Sequence, residues 1–109
     1  MPGPAKHSAH FVSIIIVNWN GRALLSECLA SIQKQTFEDY EIILVDNAST
    51  DGSVAFVKQQ YPEIKTVSLT ENTGFTGGNI AGLRHASHRP ARGQHVGVVR
   101  LHRLHTPAD

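Results

Sequence analysis

The sequence predicts an α/β fold built on a parallel sheet. Three observations predict it: short continuous aliphatic runs, amphipathic stretches of helical spacing between them, and short polar connections. Continuous aliphatic runs are typical of strands buried on both faces, as in parallel sheets. Alternation of such strands with helices, through short connections, is the pattern of right-handed βαβ crossovers. With 109 residues, the chain amounts to one domain with a small core.

Each predicted element has a local justification. Apolar residues recur at three- and four-residue spacing in the first helix, Pro62 ends the second, and Gly77-Gly78-Asn79 opens a third, shorter helix. Gly97 weakens a candidate fourth strand. The predicted elements are strands over residues 12–17, 41–45, 64–69 and 96–99, and helices over residues 22–35, 51–61 and from Gly77 onward.

Charge and composition divide the chain into three parts. Residues 1–10, rich in proline and glycine, are expected to be a disordered leader. Residues 11–83 carry eight acidic side chains and four Lys/Arg, whereas residues 84–109 carry five Arg, one Asp and five of the seven histidines. The expected folded domain therefore spans residues 11–93, and residues 94–109 are a basic tail of different character, expected to be foreign to the fold.

The expected compartment is the cytoplasm. A single cysteine, Cys28, excludes an intrachain disulfide and fits a reducing environment. Its place in the apolar stripe of a helix predicts a structural role. No apolar run approaches the roughly 20 residues that span a bilayer, and residues 1–10 lack the apolar region of a secretory signal. Association with a membrane through a partner or substrate stays open.

Polar loops follow the first three predicted strands, at residues 18–21, 46–53 and 70–78. Because the carboxyl ends of parallel strands share one edge, these loops should converge there, where α/β sheets bind ligands. A carboxylate such as Asp46 can accept a hydrogen bond from a base or a ribose. Glycines at the start of the third helix let backbone N–H groups approach a diphosphate, and Trp19 could stack on a base or sugar.

Structural interpretations of the same residues stay open. The polar side chains of residues 46–53 could simply make Asx turns and cap a helix. The stretch GFTGGN at residues 74–79 does not match the dinucleotide fingerprint, which argues against a dehydrogenase half. The histidines of the tail match no standard zinc spacing, and the tail lacks the aromatic residues of a specific nucleic-acid site.

Four motifs, in order, resemble the family 2 glycosyltransferases, especially the rhamnosyltransferase-like branch. They are VSIIIVNWNG at residues 12–21, LASI with QT within residues 29–36, VDNASTDGS at residues 45–53 and ENTGFTGGN at residues 71–79. The resemblance implies the Rossmann-like nucleotide-binding half of a GT-A fold, truncated, with three αβα layers. It also implies inverting transfer of a sugar from a nucleotide-diphosphate donor to an acceptor hydroxyl.

The resemblance also implies ligands and site residues. A divalent metal, Mg²⁺ or Mn²⁺, a UDP- or dTDP-linked sugar donor and a glycan or lipid-linked acceptor are expected, with no specific nucleic-acid partner. Asp46 would bind the base, and Gly78 and Asn79 would lie near the phosphates. The positions that match nucleotide-sugar-binding positions of the family are Val17, Asn18, Asn20, Asp46, Asn47, Asp51, Gly74, Gly78 and Asn79.

The resemblance ends near Gly93. The family continues with a short strand and an acidic motif, Asn-Asp or Asp-x-Asp, that holds the metal, but here RLHR stands at residues 100–103. Arginines cannot replace the hard oxygen ligands that Mg²⁺ requires. The family's catalytic base and acceptor site lie further downstream, so we expect no catalytic or metal-ligating residue in this chain. The expectation is an inactive fragment of a glycosyltransferase, and the alternative is a non-catalytic nucleotide-binding module.

We offer a genetic hypothesis for the abrupt change of composition near residue 93. A shift of reading frame near residues 93–94 would produce a basic tail and an early stop. Resequencing the coding DNA tests this hypothesis, which fails if no other frame downstream encodes the acidic motif.

Overall fold

The computed structural model describes residues 10–35, 39–87 and 93–102. Strands and helices alternate throughout, and every strand pair is parallel, so the predicted parallel α/β fold is confirmed. The elements are β1 (His10–Trp19), α1 (Arg22–Gln33), β2 (Tyr40–Asp46), α2 (Ser53–Gln60), β3 (Lys65–Ser68), α3 (Gly74–His85) and β4 (Gly93–His102).

The sheet has the strand order β3-β2-β1-β4. The chain first adds strands on one side of β1 and then, through α3, crosses to the other side to add β4. The gap between the carboxyl ends of β1 and β4 is therefore a topological switch point, where sheets of this type form a crevice. In register, Val17 of β1 lies between Val45 of β2 and Arg100 of β4.

Helices cover both faces of the sheet, which gives three αβα layers. On one face Ile16 and Leu44 pack with Leu25 and Leu29 of α1 and Val57 of α2. On the other face Ile15, Val17, Ile43 and Val45 pack under α3. Successive residues of β1 and β2 are thus buried on opposite faces, which explains why these strands are continuous aliphatic runs rather than alternating ones.

Several elements differ in extent from the prediction, and β1, α3 and β4 differ most. Strand β1 runs over His10–Trp19 rather than residues 12–17. Helix α3 begins at Gly74 rather than Gly77, and it has 12 residues, the same length as α1. The Asn72 side chain accepts the Gly74 N–H at 2.8 Å, which fixes the earlier start. Strand β4 has 10 residues instead of the predicted four, because it pairs with β1 along its whole length.

The predicted boundary at residue 93 coincides with the first residue of β4. Residues 94–102 of the predicted basic tail therefore lie in the sheet, next to β1. Residues 103–109 of the tail and residues 1–9 of the predicted leader lie outside the described residues, and His10 begins β1. Within the described ranges, no helix has the length and apolar character needed to cross a membrane.

A partly buried carboxylate joins the amino end of the sheet to the end of α3. Glu41 of β2 accepts hydrogen bonds from the Ser13 hydroxyl at 2.7 Å and from the Ser87 N–H at 2.7 Å. The Lys65 ammonium lies 3.0 Å from the same carboxylate. Burial by itself raises the pKa of Glu41, but these donors outweigh it and lower the pKa to about 2.

The free energy of unfolding should therefore decrease as the pH is lowered through a range set by the pKa of Glu41. The folded chain holds the proton less tightly than the unfolded chain, so this contribution is complete above the ordinary pKa of 4.5 and is lost as the pH falls towards 2. We expect the urea midpoint of Glu41→Gln to be lower than wild type at pH 7 and to depend less on pH between 5 and about 2. Glu27→Gln, at an exposed position of α1, is the control. Equal pH dependence in wild type and Glu41→Gln would contradict this role.

Candidate functional site

A pocket of about 260 Å³ opens at the carboxyl end of the sheet, at the switch point between β1 and β4. Three predicted site residues, Val17, Asn47 and Gly74, lie in its wall. The pocket thus lies where the strand order predicts a ligand site, and residues from the first, second and third loop regions contribute to its wall. The lining residues are Val17, Trp19, Asn47, Asn72, Gly74, Phe75, Arg100, Leu101 and His102.

The first two loops are clamped together beside this pocket. The Asn20 N–H donates to the Ser49 hydroxyl at 2.8 Å, and the Asn20 side-chain oxygen accepts the Thr50 N–H at 2.8 Å. Asn20 has a φ of 51°, in the left-handed region that asparagine tolerates better than most residues. Asn20 therefore positions loops rather than lining the pocket, and Ser49 is a residue of this clamp that the sequence prediction missed.

Asp46 lies at the centre of the clamp. Its side chain is almost fully buried, and it accepts hydrogen bonds from the Asn18 amide at 2.9 Å, the Ser49 N–H at 2.8 Å and the Ser49 hydroxyl at 2.8 Å. A carboxylate has about four acceptor positions, so most of those of Asp46 are used within the protein. The turn-forming interpretation of Asp46 is thus observed directly, and it leaves little capacity for a ligand.

Asn18 is fully buried and carries an unsatisfied atom. Its amide nitrogen donates to Asp46, and its side-chain oxygen has no hydrogen-bond partner among the described residues. That oxygen points under Gly21, where a Cβ would lie 2.5 Å from it. Gly21 therefore allows the turn after β1 to pass close over the Asn18 side chain.

Asp51 serves the starts of two helices. Its carboxylate accepts the Arg22 N–H, at the start of α1, at 2.9 Å and the Ser53 N–H, at the start of α2, at 3.0 Å. Burial raises the pKa of Asp51, but the hydrogen bonds from Ser53 and Arg22 outweigh it and lower the pKa. Asp51 does not line the pocket, so its geometry fits the predicted capping role better than a ligand contact.

Asn47 anchors the third loop to the sheet. Its side chain donates to the Gly74 carbonyl at 2.9 Å and accepts from the Thr73 N–H at 3.1 Å and the Thr73 hydroxyl at 2.9 Å. Gly74 has a φ of 78°, which favours glycine at this turn into α3. Asn47 and Gly74 together set the position of the helix start beside the pocket.

The remaining predicted residues lie further along α3. Gly78 faces the sheet, and a Cβ there would lie 2.5 Å from the Val17 side chain and 3.2 Å from Asn47. Its role in the structure is close packing of α3 on β1. Asn79 is half-buried, and its side-chain oxygen has no hydrogen-bond partner within the described residues.

Aromatic and basic side chains complete the pocket. Trp19, at 39% exposure, stands at the end of β1 where it is free to cover a ligand. The Arg100 guanidinium lies 5.3 Å from the ring centre of Phe75, within cation–π range. From the sequence, Arg100 is only a departure from a motif, His102 is also one of the tail histidines that match no standard zinc spacing, and Phe75 has no assigned role. Strand pairing of β4 with β1, which brings Arg100 beside Val17, is what reveals them.

The expected divalent metal does not fit the residues present. In residues 10–35, 39–87 and 93–102, no group of three His, Cys, Asp or Glu side chains could hold a metal ion. No carboxylate is found among the described residues that line the pocket, and both Asp46 and Asp51 are engaged in hydrogen bonds within the protein. Cys28 lies in α1, where burial raises the pKa of its thiol and disfavours the thiolate that binds metals.

The chain is similar to known glycosyltransferases. It is 39% identical over 87 residues to the poly(ribitol-phosphate) beta-glucosyltransferase of Bacillus spizizenii, covering 78% of this chain and 14% of that protein. Its structure resembles that of S. aureus TarS with a TM-score of 0.71 and 26% identity, over 83% of this chain and 27% of that one.

A second solved structure is also similar. It is the mannosyltransferase PcManGT of Pyrobaculum calidifontis in complex with GDP-Man and Mn²⁺, with a TM-score of 0.61 and 30% identity over 70% of this chain and 24% of that chain. The chain thus spans about a quarter or less of the length of these three proteins. The model of the glycosyl transferase family 2 matches residues 13–96. This match covers more than half of the sequence, and the chain belongs to the glycosyl transferase family 2.

Proposed function

We propose that this chain is the nucleotide-binding part of a glycosyltransferase that transfers a sugar from a nucleotide-diphosphate donor to an acceptor hydroxyl. The observation that carries the proposal is the pocket between the carboxyl ends of β1 and β4. It contains an exposed aromatic ring, which suits a base or a sugar. It also contains the start of a helix and a basic side chain, which suit a diphosphate.

The proposed donor is UDP- or dTDP-linked, as in the rhamnosyltransferase-like branch that the motifs resemble. Uracil and thymine share an imide N–H, which requires an acceptor. The resemblance implies Asp46 as this acceptor, and Asp46 retains about one acceptor position. Because Asp46 is almost fully buried and does not line the pocket, we propose that its loop moves when the base binds. The mannosyltransferase relative holds GDP-Man, so guanosine diphosphate belongs in any test of the base.

The chain by itself is proposed to bind without transferring. No carboxylate is found among the described residues that line the pocket, and the resemblance implies that the base for the acceptor hydroxyl lies further downstream in the family. In a longer protein we propose a glycan or lipid-linked acceptor and a cytoplasmic site of action. A non-catalytic nucleotide-binding module is the alternative, supported by the same lining.

Calorimetric titration of the purified chain with UDP, dTDP and GDP tests the proposal. We expect saturable binding of a uracil or thymine diphosphate, weaker binding of the matching nucleoside, and no sugar release from a matched nucleotide sugar. Absence of binding by all three diphosphates would sink the nucleotide-binding proposal. Sugar release by the chain alone would contradict the proposed inactivity.

A further inference from the structure

The carboxyl end of β4 contributes a positively charged side chain, Arg100, to the pocket. Arg100 is exposed at the carboxyl end of β4, on the face of the sheet that α3 covers, and it lies in register with Val17. Phe75, in the first turn of α3, lies under its guanidinium. A guanidinium stacked on a ring keeps its edge N–H groups free to donate, which suits bidentate binding of a phosphate.

The surroundings of Arg100 favour an anion over a cation. His102 is a second basic residue in the wall, and the described wall contains no carboxylate. The neighbouring amides are those of Asn47 and Asn72, both held by hydrogen bonds to the loop before α3. A divalent cation placed here would meet the permanent charge of Arg100 and no carboxylate oxygen from the described lining residues.

The start of α3 also favours an anion in this pocket. The first turn of a helix leaves N–H groups without intrahelical acceptors and carries a partial positive charge. Here Gly74 and Phe75 of that turn line the pocket together with Arg100 of β4. An anion bound there would face the Arg100 guanidinium and the positive end of α3.

We propose that Arg100, oriented by Phe75, binds the diphosphate of the nucleotide directly and replaces the divalent metal that the family resemblance leads one to expect. The proposal rests on the proposed function, because it concerns how that same pocket holds its ligand. The guanidinium supplies a fixed positive charge and paired donors to phosphate oxygens. Binding of the diphosphate by this chain is therefore independent of Mg²⁺ and Mn²⁺.

The test compares UDP and dTDP binding in EDTA and in Mn²⁺, for wild type, Arg100→Gln, Arg100→Lys and the control Arg84→Gln. Arg84 lies on the exposed last turn of α3, so Arg84→Gln removes the same charge outside the pocket. We expect wild type and Arg84→Gln to bind equally in both buffers. Arg100→Gln should bind roughly 10- to 100-fold more weakly, as loss of a charge-assisted hydrogen bond implies. Arg100→Lys should fall between them, and uridine or thymidine binding should not change.

The outcomes separate the two claims. Binding that requires Mn²⁺ and is insensitive to Arg100→Gln would overturn the metal-free proposal and leave the nucleotide-binding function standing. Equal losses in Arg100→Gln and Arg84→Gln would also overturn it, because the effect would then be one of net charge. Failure of wild type to bind any diphosphate in either buffer would overturn both. Circular dichroism of each variant confirms that Arg100→Gln and Arg100→Lys remain folded.

Discussion

Asp46→Ala is expected to lower the free energy of unfolding by about 3–5 kcal/mol, because several buried or partly buried donors lose an acceptor at once. The Asn18 amide keeps only a 3.4 Å contact with the Ser49 hydroxyl, and the Ser49 N–H and hydroxyl both lose the Asp46 carboxylate. A buried donor without a partner costs about 1–3 kcal/mol. For a small domain this is a large part of the total stability, which is about 5–15 kcal/mol.

Urea denaturation followed by fluorescence of Trp19, the single tryptophan, measures this change. Glu71→Ala is the matched control, since it removes an exposed carboxylate from the loop after β3 at the same edge of the sheet. The control should stay within about 0.5 kcal/mol of wild type. If Asp46→Ala is as mild as the control, Asp46 does not hold the first two loops together.

Gly78→Ala is expected to destabilise the chain by about 1–3 kcal/mol, although alanine favours helices over glycine by about 1 kcal/mol. The added methyl would lie 2.5 Å from the Val17 side chain, so α3 must move away from β1. Because Val17 and the start of α3 both line the pocket, nucleotide affinity should fall with stability. Thermal unfolding and a UDP titration measure the two effects.

Gly97→Ala provides the control for this substitution. A Cβ at Gly97 would meet no heavy atom within 4 Å, and its φ is not positive. We expect a change within about 0.5 kcal/mol for Gly97→Ala. Equal tolerance at positions 78 and 97 would show that α3 does not depend on the close contact at Gly78.

Most of the fold was predictable because burial on both faces leaves a strong pattern. The aliphatic runs of β1 and β2 identify central parallel strands, and the punctuation at Asn20-Gly21 and Pro62 limits the helices. The early start of α3 was not predictable in the same way. It depends on Asn72, which accepts the Gly74 N–H, and also on Asn47, 27 residues before Gly74, which holds the loop through Gly74 and Thr73. Such tertiary anchors leave no local periodicity.

The position of the pocket could be anticipated from the sequence, and its details less so. Val17, Asn47 and Gly74 lie at one edge of the sheet, as the strand-end loops indicate, and all three line the pocket, while their binding of a nucleotide stays a prediction. Gly78 is predicted to lie near a phosphate, and in the structure it packs closely against Val17. This packing role could not be inferred from the sequence, because it depends on the distance between α3 and the sheet. Arg100 and Phe75 come together only through pairing of β4 with β1, which no motif encodes.

The most direct test of the account is where a nucleotide diphosphate binds. Amide chemical shifts of the isotope-labelled chain, recorded during titration with UDP in EDTA, locate the site residue by residue. We expect the perturbed amides to cluster at Trp19, at Gly74 and Phe75, and at Arg100 and Leu101. Amides around Glu41, at the opposite end of the sheet, should not move. Perturbations centred near Glu41, or no saturable change at all, would contradict it.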